Sequence, residues 1–179
     1  MGIPATFVKD VNATETEKPL LYASRIDLSD DVRAGVVVIL SQTLANTIDL
    51  KTQVKQAHWN VKGMNFLQLH QLFDDMATEL EEYVDLVAER ITALGAIAYG
   101  TSRVAANRSS LPEYPLATLK GEAHLTALAE RYAFYGKQVR EAIAQTDRLG
   151  DSDTADLYTE ISRAIDKRLW FLESHLDGE

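Results

Sequence analysis

Between Phe66 and Leu94 the apolar residues fall at Phe66, Leu69, Phe73, Met76, Leu80, Val84, Val87, Ile91 and Leu94. Steps of three and four sustained over such a run fit one stripe of an α-helix and exclude a strand, whose period is two. A helix with a single apolar stripe needs neighbours to cover it, so the chain is bound to fold as packed helices. Three further segments repeat the pattern. Ser29 or Asp30 is placed to cap a helix reaching about Asn60, with Val32, Val36, Ile39, Leu40, Leu44, Ile48, Val54 and Ala57 inward. Another spans about Gly121 to Leu149 on Leu125, Leu128, Tyr132, Tyr135, Val139 and Ile143. The last follows the turn Gly150-Asp151-Ser152-Asp153 and carries Leu157, Ile161, Ile165, Leu169, Leu172 and Leu176. From Gly95 to Lys120 the breakers Gly95, Gly100, Pro112 and Pro115 forbid one continuous helix but leave room for a short one over Arg103–Asn107. So long a link suits an all-α four-helix bundle with one long crossover connection carrying a short helix.

Residues 1–29 are polar, include Pro4 and Pro19 and show no period, which predicts a flexible or loosely docked N-terminal extension. Residues 30–179 are expected to form one domain, a size that buries a full core. No apolar run approaches a membrane span and no secretion signal opens the chain, so a cytoplasmic location is expected. There is no cysteine, which leaves imidazole and carboxylate as metal ligands, a donor set suited to iron, zinc or manganese. The net charge of −9, from 27 acids and 18 bases, favours cations and opposes generic binding to nucleic-acid phosphates.

On the helix from Phe66, residues His70, Asp74, Asp85 and Glu89 fall at roughly 0°, 40°, 60° and 100° and so share one face. The apolar stripe is centred about 130° away, which frees the polar face to meet another subunit. Asp74 and Asp85 are nonetheless about 16 Å apart along the axis, whereas ligands of one ion sit only about 2 Å from it. The face thus carries two half-sites, and an antiparallel copy across a twofold axis would set each His70/Asp74 pair against the partner's Asp85/Glu89 pair. Asp75, Glu79 and Glu82 on the same helix read as a solvated face. The alternative for the four aligned residues is a structural hydrogen-bond network. No glutamate is followed three positions later by histidine, which disfavours a di-iron site closed within one chain.

The run His58-Trp59-Asn60-Val61-Lys62-Gly63, with Leu69-His70-Gln71-Leu72-Phe73-Asp74 and Tyr83-Val84-Asp85-Leu86-Val87-Ala88-Glu89-Arg90, closely resembles the Dps proteins, the mini-ferritins of the ferritin-like superfamily. Thr154-Ala155-Asp156-Leu157 and Asp166-Lys167-Arg168-Leu169-Trp170-Phe171-Leu172-Glu173 extend the likeness over about Asp30 to Leu176. The resemblance implies a ferritin-like bundle. It implies an intersubunit ferroxidase centre on His58, His70, Asp74, Asp85 and Glu89, with Fe2+ as metal and hydrogen peroxide as preferred oxidant. It also implies ferric storage in a hollow homododecamer that protects against oxidative stress; zinc or manganese at the same centre is what the donor set itself allows. Trp59, next to His58, is implied to lie near the iron, where it could intercept radicals, the alternative being aromatic packing. Lys62 either pairs with a site carboxylate or is a solvated loop residue.

Dps relatives also place acids at positions matching Asp151, Asp156 and Glu160 around threefold pores that admit ferrous ions; helix capping and dipole compensation are the competing explanation. His124 and His175 have no ligand spacing and are expected in surface or capping roles. The alternative function, a nucleoid-associated DNA-binding protein, rests on the family's name. Relatives that bind DNA use basic tails, whereas here Lys9, Lys18 and Arg25 face Asp10, Glu15, Glu17 and Asp27, and the chain ends Asp177-Gly178-Glu179. DNA binding is therefore expected to be weak or absent.

Overall fold

A computed structural model describes residues 19–176, which fold into five helices: α1 Asp30–Asn60, α2 Phe66–Ala93, α3 Ser102–Arg108, α4 Gly121–Leu149 and α5 Ser152–Ser174. Helices α1 and α2 form one hairpin and α4 and α5 the other, while the crossover carries α3 across α1. At the end where α1 finishes, the Lys62 amide donates to the Leu119 carbonyl at 2.9 Å, in a bridge pairing Lys62 with Lys120. That contact sets the start of α4 beside the start of α2, so the crossover returns along the bundle and the two helices run parallel, the ferritin-like arrangement. No helix among the described residues is long and apolar enough to cross a membrane.

The expected stripes form the core. Val36, Leu40, Leu44, Val54, Phe73, Met76, Leu80, Val87, Ile91, Leu128, Tyr132, Tyr135, Ile161, Ile165 and Leu172 are all buried. Each large apolar side chain removed from water contributes about 1.5–3 kcal/mol. Val32, Ile39, Val84, Ile143, Leu157, Leu169 and Leu176 pack at the core's margin. Phe66 departs from the expectation, being 45% exposed at the mouth of the α1–α2 link. Tyr158 was missed by the spacing and is wholly buried, because its hydroxyl reaches the Thr43 hydroxyl at 2.8 Å across to α1. Tyr135 does the same with Thr47 at 2.6 Å, so two polar ties cross the core without leaving an unsatisfied hydroxyl on either tyrosine.

Local signals set the boundaries. The Ser29 hydroxyl accepts from the Val32 amide at the N-cap of α1, and Gly150, in the left-handed region at φ 88°, terminates α4. Helix α5 starts one residue after Asp151, inside the turn expected from the sequence, because the Asp151 carboxylate caps it by accepting from the Thr154 amide. Glu79, expected on a solvated face, instead accepts from Arg168 Nε of α5 at 2.8 Å and is half-buried.

Residues 1–18 of the expected extension and residues 177–179 lie outside the described residues. Residues 19–29 are docked. Arg33, itself buried, donates through Nη1 to the Leu94 carbonyl at 2.7 Å and to the Tyr22 carbonyl at 3.3 Å, while the Tyr22 amide donates to the Gly95 carbonyl at 2.6 Å. Gly95 is required there: its φ is 88°, and a Cβ would stand 2.6 Å from the Tyr22 carbonyl oxygen. Gly95→Ala should cost at least about 1–2 kcal/mol from the left-handed backbone alone. A lowered melting temperature together with faster hydrogen exchange at the Tyr22 amide is the expected result. Unchanged exchange there would show that the segment docks independently of Gly95.

Candidate metal centre

The short link Val61–Asn65 turns the chain so that the last turn of α1 faces the first two turns of α2. His58 and His70 stack at this point, with ring centroids 3.7 Å apart and planes 21° from parallel. Their hydrogen bonds are reciprocal: His58 Nδ1 lies 2.8 Å from the His70 carbonyl oxygen, and His70 Nδ1 lies 2.9 Å from the His58 carbonyl oxygen. A carbonyl can only accept, so both Nδ1 atoms carry the hydrogen. In the neutral ring each Nε2 then presents a lone pair, the form in which a histidine ligates metal.

Asp74 lies beside His58. Its Oδ1 is 3.8 Å from His58 Nε2, in the range of about 3–4 Å expected between two donors each about 2.1 Å from one ion. The same oxygen accepts from Lys55 Nζ at 2.8 Å. That hydrogen bond is the chief cause holding the Asp74 carboxyl below the usual carboxylate range; desolvation opposes it, and the charges of Lys55, His58 and His70 add to the lowering. Lys55 occupies the position of a counter-cation to the carboxylate. It lies one turn before His58 on α1 and also stands 5.9 Å from the Trp59 ring, so helical spacing from His58 could have singled it out.

Asp85 and Glu89 do not join this group within the chain. They sit exposed farther along α2, eleven and fifteen residues beyond Asp74, and neither makes an ion pair among the described residues. No three His, Cys, Asp or Glu side chains among the described residues are gathered to hold a metal ion. Trp59 is 67% exposed in the single chain, with Lys55 Nζ 5.9 Å from its ring centre. Met64, Phe66, Leu67 and Leu86 are exposed as well, giving the linker and the outer side of α2 an apolar margin. Lys62 is exposed and pairs with no site carboxylate among the described residues, the solvated-loop alternative.

The acids near α5 divide. Asp151 is buried, its Oδ1 accepting from Arg90 Nη2 at 2.7 Å and from the Thr154 amide at 3.0 Å, and its Oδ2 from the Thr154 hydroxyl at 2.6 Å. Both oxygens are committed to the cap and to α2, so Asp151 takes the capping alternative in this chain. Asp156 and Glu160 are exposed one turn apart. Of the remaining histidines, His175 ends α5 and its Nδ1 donates to the Phe171 carbonyl at 2.6 Å, as a capping residue does. His124 contradicts the surface expectation: it is fully buried, and its Nδ1 meets the Tyr114 hydroxyl at 2.6 Å.

The ferritin-like domain family matches residues 38–178. The DNA protection during starvation protein of Agrobacterium fabrum is 41% identical over 155 residues, 87% of this chain and 96% of its own length. DpsC from Streptomyces coelicolor superposes with a TM-score of 0.85 at 32% identity, covering 91% of this chain and 95% of its own. The tetragonal form of Mycobacterium smegmatis Dps gives 0.84 at 30% identity, with 88% and 94% covered.

Because the Lys55 ammonium is the main cause of the low Asp74 titration, Lys55→Met should raise it, so that the carboxylate takes up its proton at higher pH than in the parent protein. Carboxyl-carbon NMR of the metal-free protein measures this directly. An Asp74 titration unmoved by the substitution would mean that Lys55 spends its time elsewhere in solution.

Proposed function

The chain belongs to the Dps proteins of the ferritin-like family, and on that premise we propose that it oxidises ferrous iron with hydrogen peroxide at a site shared by two subunits. His58, His70 and Asp74 come from one subunit and Asp85 and Glu89 from its twofold mate, and the ferric product is stored inside a hollow homododecamer. The observation that carries this reading is the reciprocal His58–His70 hydrogen-bond pair, which leaves a lone pair on each Nε2, that of His58 3.8 Å from the Asp74 carboxylate. Supporting it are Asp85 and Glu89, exposed on the same helix face without an ion pair among the described residues, and the exposed apolar residues Met64, Phe66, Leu67 and Leu86 along the link and α2, which a second copy would cover.

Ferrous iron is the substrate. It displaces the Lys55 ammonium from Asp74 and takes mixed imidazole and carboxylate donors, which hold Fe2+ while the carboxylates favour the harder ferric ion. Two ferrous ions each give one electron to a peroxide, whose O–O bond breaks as its oxygens leave as water or hydroxide. Exposed Trp59 beside His58 is available to stray oxidants. Zinc or manganese suits the same donor set and would compete for it. The reading includes a cytoplasmic location. The Agrobacterium relative's name speaks of DNA protection, and removing ferrous iron and peroxide prevents hydroxyl-radical formation without contact with DNA. Direct DNA binding is disfavoured by N- and C-terminal segments lacking net positive charge.

The test is to add Fe2+ to the metal-free protein under anaerobic conditions, then peroxide, and to follow ferric absorbance and particle mass. Coassembly of a His70→Ala/Asp74→Ala chain with an Asp85→Ala/Glu89→Ala chain isolates the sharing. Each chain alone should be inactive, while a mixed dimer regains one intact site of two. Oxidation no faster than in protein-free buffer would overturn the activity, and mixed assemblies as inactive as their parents would overturn the shared site. For iron admission, Asp156→Asn with Glu160→Gln should slow ferrous uptake into assembled particles, because a pore loses its attraction for cations when its acids are neutralised. Unchanged uptake kinetics would return both residues to a helix-dipole role.

A further inference from the structure

We propose that Tyr114 and His124 form a buried redox pair that lends an electron to peroxide reduction when only one ferrous ion is present; the iron-dependent part of this proposal rests on the function proposed above. Tyr114 lies in the crossover just before α4, and His124 lies in the first turn of α4. Both are buried, with the phenol oxygen 2.6 Å from His124 Nδ1. The other ring nitrogen, Nε2, is buried without a hydrogen-bond partner. Burial holds the imidazole in its neutral form by lowering its pKa, while the Asn60 backbone opposes that shift by favouring a proton on the ring. A hydrogen on Nδ1 would leave both the Tyr114 hydroxyl hydrogen and the Nε2 lone pair unmet, whereas a hydrogen on Nε2 leaves only that one group unmet, so the lone pair sits on Nδ1 and the Tyr114 hydroxyl donates.

A phenol that loses an electron becomes a very strong acid, and its oxidation is easy only where a base stands ready for the proton. Among the hydrogen bonds of buried tyrosine hydroxyls in the described residues, only that of Tyr114 ends on a base. Tyr158 and Tyr135 meet Thr43 and Thr47, whose hydroxyls in turn donate to the carbonyls of Ile39 and Thr43. The Tyr132 hydroxyl has no partner. A hydrogen bond serving only to fasten the crossover to α4 would need no base.

The location fits. The His124 ring is 6.4 Å from that of Phe73, the residue immediately before Asp74, and the Asn60 backbone beside it is two residues from His58. The pair thus lies on the core side of α2, across roughly one helix diameter of about 10 Å from the outward-facing His70 and Asp74. The Arg131 guanidinium, 5.6 Å from the centre of the Tyr114 ring, disfavours added positive charge on the pair. The oxidised pair is therefore strongly oxidising and readily re-reduced.

The electrons balance. One ferrous ion gives an electron to hydrogen peroxide, the O–O bond breaks, and the products are ferric ion, hydroxide and an oxidant at the level of hydroxyl radical. Tyr114 gives that oxidant one electron and passes its phenolic proton to His124, leaving a neutral phenoxyl, an imidazolium and a second hydroxide. A second ferrous ion then returns an electron to the phenoxyl, and the proton goes back from His124. The sum is two ferrous ions and one peroxide to two ferric ions and two hydroxides, with no free radical released.

The experiment is freeze-quench electron paramagnetic resonance on the assembled protein in two arms. In the first, one ferrous ion per shared site is followed by peroxide while ferric absorbance is recorded. In the second, the metal-free protein is oxidised by photogenerated tris(bipyridine)ruthenium(III), which needs no iron. A tyrosyl signal is expected in both arms, lost in Tyr114→Phe and in His124→Gln, which keeps the phenol but removes the base, and retained in Tyr158→Phe. With the unsubstituted protein, replacing 14N-histidine by 15N-histidine should change the nitrogen hyperfine splitting of the radical, a readout independent of how well the variants fold. A signal that survives in folded Tyr114→Phe, or that carries no histidine coupling, overturns the pair. Absent ferric absorbance beside a Tyr114-dependent signal in the ruthenium arm overturns the iron reading alone.

Discussion

The reciprocal bonds between His58 and His70 govern the rest of the centre, because they solve two problems with the same atoms. The last turn of α1 ends with carbonyls that no later helical amide can satisfy, and the His58 carbonyl is one of them. His70 donates to it, and His58 returns a bond to the His70 carbonyl, so the two helices are joined side chain to backbone in both directions. Hydrogen bonds of this kind contribute about 1 kcal/mol each, and stacking of the rings adds to them. The same bonds fix which nitrogen carries the hydrogen and where the other one points. A structural joint therefore becomes a pair of oriented lone pairs without any further device. Replacing either ring would loosen the α1–α2 corner as well as remove a donor, so loss of metal chemistry in such variants has to be read beside their stability.

Much of the fold was legible in the sequence because long stripes of three- and four-residue spacing admit few alternatives. The helix limits at Asp30, Asn60, Phe66, Gly121 and Leu149 all carry local causes: a capping serine, a link with Gly63, the crossover's end and a left-handed glycine. What the spacing hid was chiefly the contacts that polar side chains make between elements. Tyr158 and Thr43 are far apart in the chain, and nothing in either neighbourhood announces their hydrogen bond. Glu79 looked solvated until α5 brought Arg168 to it, and His124 looked superficial until the crossover laid Tyr114 over it. Arg33 is the plainest case: a charged residue in the first turn of α1 reads as solvent-facing, yet it is buried, because two carbonyls of the α2 terminus and the docked segment lie within its reach.

For the candidate centre the legible part was the set of residues sharing a face, and the hidden part was their electrostatic state. Rotation per residue aligns His70, Asp74, Asp85 and Glu89, and the helix rise divides them into two pairs. No spacing argument on α2 alone could find Lys55, which belongs to α1 and reaches Asp74 only because the His58–His70 joint sets the crossing of the two helices. The charge on Asp74 thus depends on the same corner that orients the imidazoles. Asp151 illustrates the converse. Its place in the chain suits a pore, but Arg90 and the α5 N-terminus claim both of its oxygens, and a carboxylate so engaged is a poor ligand for a passing hydrated cation.

Dividing a site between subunits, as proposed here, has a consequence for the order of events. A lone chain offers His58, His70 and Asp74 with Lys55 already on the carboxylate, an arrangement with too few donors to hold ferrous iron against water and the ammonium. Two further carboxylates from a twofold mate add negative charge at the same point, which favours iron over a single ammonium because the ion carries twice the charge and accepts several ligands at once. Iron chemistry then begins only where a dimer exists. In the closed shell proposed above, such dimers would release their insoluble product into an interior, whereas an isolated subunit would make none. A closed intrachain site would lack that coupling, since an isolated subunit could make ferric ion with nowhere to put it.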